Sequence, residues 1–538
     1  MPPPSSFTQL VVVALLGSCF IFLSSSSNKP QSQITFSTPS QSVEATTSMF
    51  RIAIIGAGAA GTSTSFFLSH LLQSSNQAHQ LSTEIFENST YIGGRSTIIY
   101  PFDSELFEPI ESGASIFVKS NLNLNKAIKQ FKLKLKTFDE NDGGNLGIWD
   151  GTEFAFRETG QSWLDTAKMF WRYGRAPYQL NGIKDEMIDR YKAIYESEFI
   201  TKGPYYNLSA WAEASQLAGL LPLSGSKKLI EEQGINVQAV NELAAVACRV
   251  NYGQDISDIH ALGTLVSLAG SDGMSVKGGN RQIFEKFAIE SGATVHLAHQ
   301  VTRISKVKPL NAVTDERSKY TISYRDANNH SLTSESGPFD AVIIAAPFHQ
   351  TGIEFDTADV SSKIPNQPYV HLHVTFVITN ATTPSGKFFG LPAEEEMPKT
   401  IYSTMMRNVL GKGQRPIFNS LSYLRNMGPK VGVIGDLHIV KLFSEATLST
   451  ETLGEIFNLP QNLIWVKRIE WDAYPVLNPI VDVNQLAPMK LDEGLYYING
   501  FERLMSTMET ETLAAWNVAD MISKDLWNFH ANQSWASE

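Results

Sequence analysis

Cysteine is nearly absent. Only Cys19 and Cys248 occur among 538 residues, which excludes a disulfide framework and any thiolate-rich metal site. Cys248, beside Arg249, reads as a small buried hydrophobe. Basic charge is in deficit: 43 Lys and Arg stand against 54 Asp and Glu, for a formal net charge of −11. That balance argues against a nucleic-acid partner, because neutralising phosphates requires a basic face. Long apolar runs are scarce. The conspicuous one, Leu10 to Leu23, is shorter than the roughly 20 residues of a membrane span, so no stable transmembrane segment is expected. Neither a Gly-x-Ser-x-Gly elbow nor a P-loop occurs, and hydrolase and NTPase readings lack support. His371 and His373 alternate on one side of a strand. No neighbouring Cys, Asp or Glu in the sequence completes a site, so no metal is expected.

What is present begins with a core. Hydrophobic residues make up 43% of the chain, enough for a large globular fold with more than one subdomain. The run Leu10 to Leu23, followed by Ser24 to Ser27, has the form of a signal-peptide core and its small-residue flank, although no Lys or Arg precedes it. Residues 1–27 are read as a signal peptide, with an uncleaved anchor as the alternative. Residues 28–49, rich in Ser, Thr, Gln and Pro, read as a flexible linker. The implied route is the secretory pathway, ending in a lysosome or vacuole or outside the cell. Sequons at Asn88, Asn207, Asn329, Asn380 and Asn532 permit glycosylation there; Asn88 lies too near the cofactor motif for a glycan.

The strongest chemical signal follows. Phe50 to Ile55 is a short apolar strand, Gly56-Ala57-Gly58-Ala59-Ala60-Gly61 a glycine turn, Ala59 to Leu72 a helix, and Ser82 to Glu87 a second strand. In this β-α-β unit Gly56 permits the tight turn. Gly58 lets the backbone approach a pyrophosphate, and Gly61 lets helix and strand pack closely. Free N–H groups at the helix start meet the phosphates. Glu87, ending the second strand, is placed to accept both ribose hydroxyls and to repel a 2′-phosphate. Gly93-Gly94-Arg95-Ser96-Thr97 comes almost at once. It resembles the second glycine motif of the flavoprotein group that includes amine oxidases, which favours FAD over NAD. Glu111-Ser112-Gly113-Ala114 looks like the next element of that pattern, and Val301 stands where the group holds adenine through backbone contacts.

Further along, a helical region extends from about Trp163 to Val246, and Thr294 to Ile304 alternates like paired strands. Asp340 to Ala346 is a buried-type strand, Tyr369 to Ile378 another, and the last helix runs from about Glu509 to Trp527. The expected fold is α/β: a Rossmann-type FAD-binding domain with an interleaved α+β substrate domain. The first is discontinuous, from 50–155, 265–350 and 485–527. The second takes 156–264 and 351–484, and 528–538 is a tail.

Several strings then share one order: Trp171-Arg172-Tyr173-Gly174, Arg249-Val250-Asn251-Tyr252-Gly253-Gln254, Val276-Lys277-Gly278-Gly279-Asn280, Trp471 with Tyr474-Pro475, Tyr496-Tyr497-Ile498-Asn499-Gly500, and Ser506-Thr507-Met508-Glu509. Together they resemble the prenylcysteine oxidase (prenylcysteine lyase) family over residues 50 to 527. The resemblance implies an FAD-dependent thioether oxidase. It would take farnesyl- or geranylgeranyl-cysteine and dioxygen and yield prenyl aldehyde, cysteine and hydrogen peroxide. It further implies that Gly278-Gly279-Asn280 turns near the cofactor. Gly500, Met508 and Glu509 are then expected at the flavin ring, where the last helix's dipole can stabilise negative charge. Asn251, Tyr252 and Gln254 either face the flavin or satisfy buried backbone. Phe170, Trp171 and Tyr173 either line an apolar prenyl pocket or are ordinary core. Two other functions stay open: a flavin oxidase of the same fold acting on amines or isoprenoids, and a non-catalytic flavin-containing binder of prenyl lipids.

Mass spectrometry of protein from its native host is expected to find a mature terminus shortly after Ser27 and glycans on some of Asn207, Asn329, Asn380 and Asn532. An intact, unglycosylated soluble chain would overturn secretory entry.

Overall fold

Met49–Ile55 carries apolar residues on both of its faces, and Ile52, Ala53 and Ile54 are fully buried. A strand of that kind belongs in the middle of a sheet covered on both sides, and it lies there. The computed structural model describes residues 48–136, 144–271, 273–307, 318–326, 329–356, 358–429, 435–458 and 460–538. The expected signal peptide and nearly all of the linker lie outside the described residues. In the first sheet the strand order is Lys490–Asp492, Leu495–Tyr497, Ala341–Ile344, Met49–Ile55, Gln80–Phe86 and Thr294–His296. All neighbours are parallel except the edge strand Lys490–Asp492. Parallel pairs need crossovers, and helix Ala59–Ser74 supplies the first. Its buried hydroxyls, Thr62 and Thr64, donate back to the carbonyls of Gly58 and Ala60 at 2.8 and 2.7 Å, which satisfies them without an outside partner.

The last helix, Met508–Trp527, is buried along nearly its whole length and packs on Ala59–Ser74. It starts where the Thr507 hydroxyl accepts from the Thr510 N–H, in a reciprocal cap. A four-stranded sheet, including His299–Val307 and Lys319–Asp326, leans on the first. Thr294 to Ile304 is thus split between two sheets and does not form one paired unit. The other large layer is a seven-stranded sheet ordered Leu463–Pro475, Tyr369–Thr379, Asp436–Ser444, Ser420–Pro429, Thr400–Ser403, Leu146–Trp149 and Phe154–Arg157. Most of the segment from Ser162 to Leu268 is helical.

Three boundaries differ from the sequence-based expectation. A division at 155/156 would cut the hairpin of Leu146–Trp149 and Phe154–Arg157. That hairpin joins the seven-stranded sheet through parallel pairing with Thr400–Ser403. Glu354–Phe355, expected in the substrate domain, pairs with Arg303 and Ile304. Residues 528–538 are no loose tail. Asp520 accepts from the Ala531 N–H at 2.8 Å, and Trp535, 2% exposed, packs its ring on Phe66, Phe67 and Phe287.

Replacing Trp535 by Ala should therefore destabilise the protein by about 3–5 kcal/mol, the range for a truncated core aromatic. A tail residue would change the urea unfolding midpoint hardly at all.

Candidate active site

The glycine turn opens onto a cavity of about 390 Å³ between the first sheet, the last helix and the edge of the seven-stranded sheet. Gly56, at φ +109°, has the Ala345 carbonyl where a Cβ would stand, at 2.4 Å. Gly61 packs so close that a Cβ would lie 1.9 Å from the Gly56 carbonyl oxygen. Gly58 is different. An added Cβ would meet only Gly94, at 3.8 Å, so the space above it belongs to the cavity and not to the fold. Ala59 and Ala60, at the start of a helix with no side-chain cap, line the same wall. Their N–H groups provide a positive dipole end for a diphosphate. Glu87 accepts from the N–H groups of Ala57 and Ser89, each at 2.8 Å, and borders the cavity.

Gly94, Arg95, Gly113 and Ala114 also line this cavity. Arg95 is ion-paired with Glu502 and donates to the Ala473 carbonyl at 2.9 Å. The paired carboxylate holds the guanidinium above its usual pKa against the opposing effect of burial. Four polar groups of the lining are buried without a partner: Ser96 Oγ, Trp471 Nε1, Asn499 Oδ1 and both carboxyl oxygens of Glu511. Orphaned polar atoms are rare in native interiors. The residues that carry them border the cavity, and its lining, with the Gly58–Gly94 cleft and the uncapped helix start, fits a dinucleotide with further polar groups, as FAD has.

Several expected cofactor residues stand elsewhere. Glu509 points away, accepting from the N–H groups of Asn123 and Leu124 and from the Tyr195 hydroxyl, and burial pushes its carboxyl up to about 7. Two steps along a helix turn a side chain by about 200°, so Glu511 faces the cavity instead. Burial, with Glu502 nearby, raises its carboxyl well above the usual range. Met508 lines the cavity as expected. Gly500 does not: a Cβ there would meet Ala487 at 3.1 Å, while its neighbour Asn499 takes the lining position. Val301 pairs with Tyr324 and is buried with Phe86 and Ile304, outside the lining.

A second cavity, of about 340 Å³, adjoins the first. The two share Gly113, Ala114, Phe443, Tyr474 and the Ser506 to Met508 turn. Its walls are largely apolar, with Met187, Ile188, Val250, Val266 and Met505 among them. Asn251 and Tyr252 line it, and the Tyr252 ring meets Tyr474 edge-on at 5.4 Å. Gln254 does not. Its side chain donates to the Pro475 carbonyl at 3.1 Å and accepts from the Leu477 N–H at 2.8 Å, so it satisfies buried backbone. Arg249 pairs with Asp255 within the same segment and ties it to the seven-stranded sheet through Ser403 and, at the strand ends, Glu445 and Asn419. Asn280 accepts from Val276 and donates to the Ala114 carbonyl; the Gly278-Gly279 turn thereby braces the wall shared by the two cavities.

The aromatic helix lines neither cavity. Phe170 and Trp171 are 62% and 93% exposed. Tyr173 is buried and donates to Glu242, which also holds Arg172. His371 and His373 meet acids that sequence distance hid: Asp472 and Glu470 from the neighbouring strand lie 3.0 and 3.2 Å away. Among the described residues no group of three or more such side chains could hold a metal. No described helix is long and apolar enough to cross a membrane.

A Rossmann-like sheet whose glycine turn, second glycine motif and last helix enclose one cavity, with an apolar cavity beside it, defines the FAD-binding amine-oxidase type of oxidoreductase fold. The solved structure of putrescine oxidase with bound putrescine superposes with a TM-score of 0.55 at 15% identity, over 88% of this chain and 99% of that one. Residues 54–131 match the NAD(P)-binding Rossmann-like domain. The particular family is narrower. Residues 156–534 match the family described as prenylcysteine lyase, and the chain belongs to it. Among similar proteins, farnesylcysteine lyase of Arabidopsis thaliana is 30% identical, over 88% of this chain and 87% of its own length. Prenylcysteine oxidase 1 of Homo sapiens is 25% identical, over 90% of each.

Gly58→Val should yield a folded, soluble protein without flavin, because the branched side chain fills ligand space and not fold space. Glu87→Ala should weaken flavin binding by about 1–3 kcal/mol, the loss of a charged hydrogen bond. Absorbance and chromatography of released cofactor measure both, and full occupancy in Gly58→Val would displace the cofactor from this cavity.

Proposed function

We propose that the protein is an FAD-dependent oxidase that cleaves the thioether of farnesyl- or geranylgeranyl-cysteine, consuming one dioxygen and one water and releasing prenyl aldehyde, cysteine and hydrogen peroxide. The observation that carries the reading is the joined pair of cavities: a polar one that fits FAD, opening along Gly113-Ala114 and the Ser506 to Met508 turn onto an apolar one. FAD supplies the hydride acceptor, and the reactive chemistry is largely its own. The chain's contribution is position and exclusion. Met187, Ile188, Val250 and Val266 offer the apolar contact a prenyl chain requires. Tyr252 and Tyr474, crossed edge to face, narrow the space beside the shared wall, which orients the carbon next to sulfur. No side-chain base is needed to initiate hydride loss, since sulfur and the allylic double bond stabilise the positive charge that develops.

The family relationship supports this substrate class over an amine. Among the described residues no carboxylate lines the apolar cavity to receive an amine's cation. Breakdown of prenylated proteins is the process that supplies such thioethers. The serine-flanked run at Leu10 to Leu23 supports a place for the protein in the secretory pathway, in a lysosome or vacuole or outside the cell.

Anaerobic addition of farnesylcysteine should bleach the flavin, and in air one dioxygen should be consumed per aldehyde formed. A saturated S-alkyl cysteine of similar length should bind yet reduce the flavin far more slowly, because only interactions stronger in the transition state raise the chemical rate. Equal stopped-flow rates for the two thioethers would overturn the hydride mechanism. Ammonia in place of cysteine would assign the enzyme to amines, and binding without peroxide would make it a carrier.

A further inference from the structure

Among the described residues the apolar cavity has one charged side chain in its lining, Lys441. It sits on strand Asp436–Ser444, two residues before Phe443 and so on the same face, and is only 8% exposed. Its ammonium donates to the Glu111 carbonyl at 3.0 Å and to Ser115 Oγ at 3.1 Å. An ammonium has three donors, and no described residue takes the third. The rings of Phe443 and Phe376 lie 4.7 and 5.6 Å from Nζ. Burial pushes the group down to about 8, with Glu111 acting in the opposite sense, so it remains mostly charged at neutral pH. The Glu111 carboxylate is the charge that acts on it, without a direct ion pair among the described residues, so the third donor in a largely apolar chamber can take an anion from outside the protein.

The position says which part of a ligand brings it. Glu111 and Ser115 flank Gly113-Ala114, the wall common to both cavities. The ammonium is therefore held beside the junction where the thioether must lie to face the cofactor. In an S-alkyl cysteine the α-carboxylate is only a few bonds from sulfur, while the hydrocarbon chain can run the other way along Met187, Val250 and Val266.

We propose that Lys441 anchors the free α-carboxylate of the amino-acid head, and that this contact makes the enzyme select carboxylates over the corresponding esters and amides. The proposal rests on the reading of the substrate as a prenylcysteine. It places the enzyme after a hydrolytic step, since a carboxyl still held in an ester or peptide bond cannot pair with the lysine.

The test uses the flavin-loaded full chain and S-dodecylcysteine, which lacks the allylic bond and is slow to react, alongside its methyl ester. Isothermal titration should show the acid binding the wild-type protein about tenfold or more tightly than the ester, as expected for a charge-assisted contact. Lys441→Met, similar in length and apolar, should bind acid and ester equally within about twofold, at the affinity of the wild type for the ester. Equal binding of acid and ester by the wild type overturns the anchor, as does undiminished discrimination in Lys441→Met. If that variant does not fold with flavin, the wild-type pair of ligands decides alone. Anaerobic bleaching by farnesylcysteine separates the two levels. Bleaching with equal affinity for acid and ester removes only the anchor, whereas no bleaching and no binding of either ligand removes the prenylcysteine reading with it.

Discussion

The ion pair of Arg95 with Glu502 is the joint on which the site depends. Arg95 belongs to the second glycine motif, near the beginning of the chain, and Glu502 to the turn before the last helix. The arginine also reaches the Ala473 carbonyl on the seven-stranded sheet, while Glu502 receives Asn499 at 2.8 Å and Tyr369 at 3.2 Å. Three separate stretches of sequence thus converge on one buried carboxylate that is 1% exposed. Such pairs are poor net stabilisers, because both ions lose their water, but removing one partner strands the other. The arrangement is better understood as register than as glue: it fixes where the cofactor cavity's wall stands relative to its roof.

Around that joint the two cavities have opposite characters for a physical reason. The cofactor cavity is rich in groups that the fold leaves unsatisfied, such as Ser96 and Asn499. The neighbouring chamber is walled mainly by apolar side chains, with Lys441 its one charged group among the described residues and the Tyr252 hydroxyl buried without a partner. The wall between them, Gly113-Ala114, is kept thin by packing. A Cβ on Gly113 would lie 1.9 Å from the Arg95 carbonyl oxygen, so the segment can lie flat against the second glycine motif only without a side chain.

What the sequence made legible was local chemistry. The turn Gly56 to Gly61, its strand and its helix needed only neighbouring residues, and they stand in the structure as read. Residues whose role depends on direction were harder. Glu509 and Glu511 lie one residue apart on the same helix, and no sequence rule says which faces inward. The aromatic string at Phe170 and Trp171 has the composition of a pocket, yet its helix turns those rings to solvent and buries Met169 and Tyr173. The partners of His371 and His373 come from a strand about a hundred positions away, and Lys441 sits in a strand with no motif at all. Distance in sequence concealed these contacts; only strand pairing brought them together.

The last helix has a consequence for how the protein is made. Its packing against Ala59–Ser74, and the pairing of Leu495–Tyr497 with Ala341–Ile344, mean that the first glycine turn is roofed by residues made long after it. A ribosome-bound chain that has just exposed the turn has yet to make Met508 and Glu511. Enclosure of the dinucleotide therefore waits for the last helix, and a chain truncated before that helix would retain the fingerprint while lacking the chamber that gives it a use.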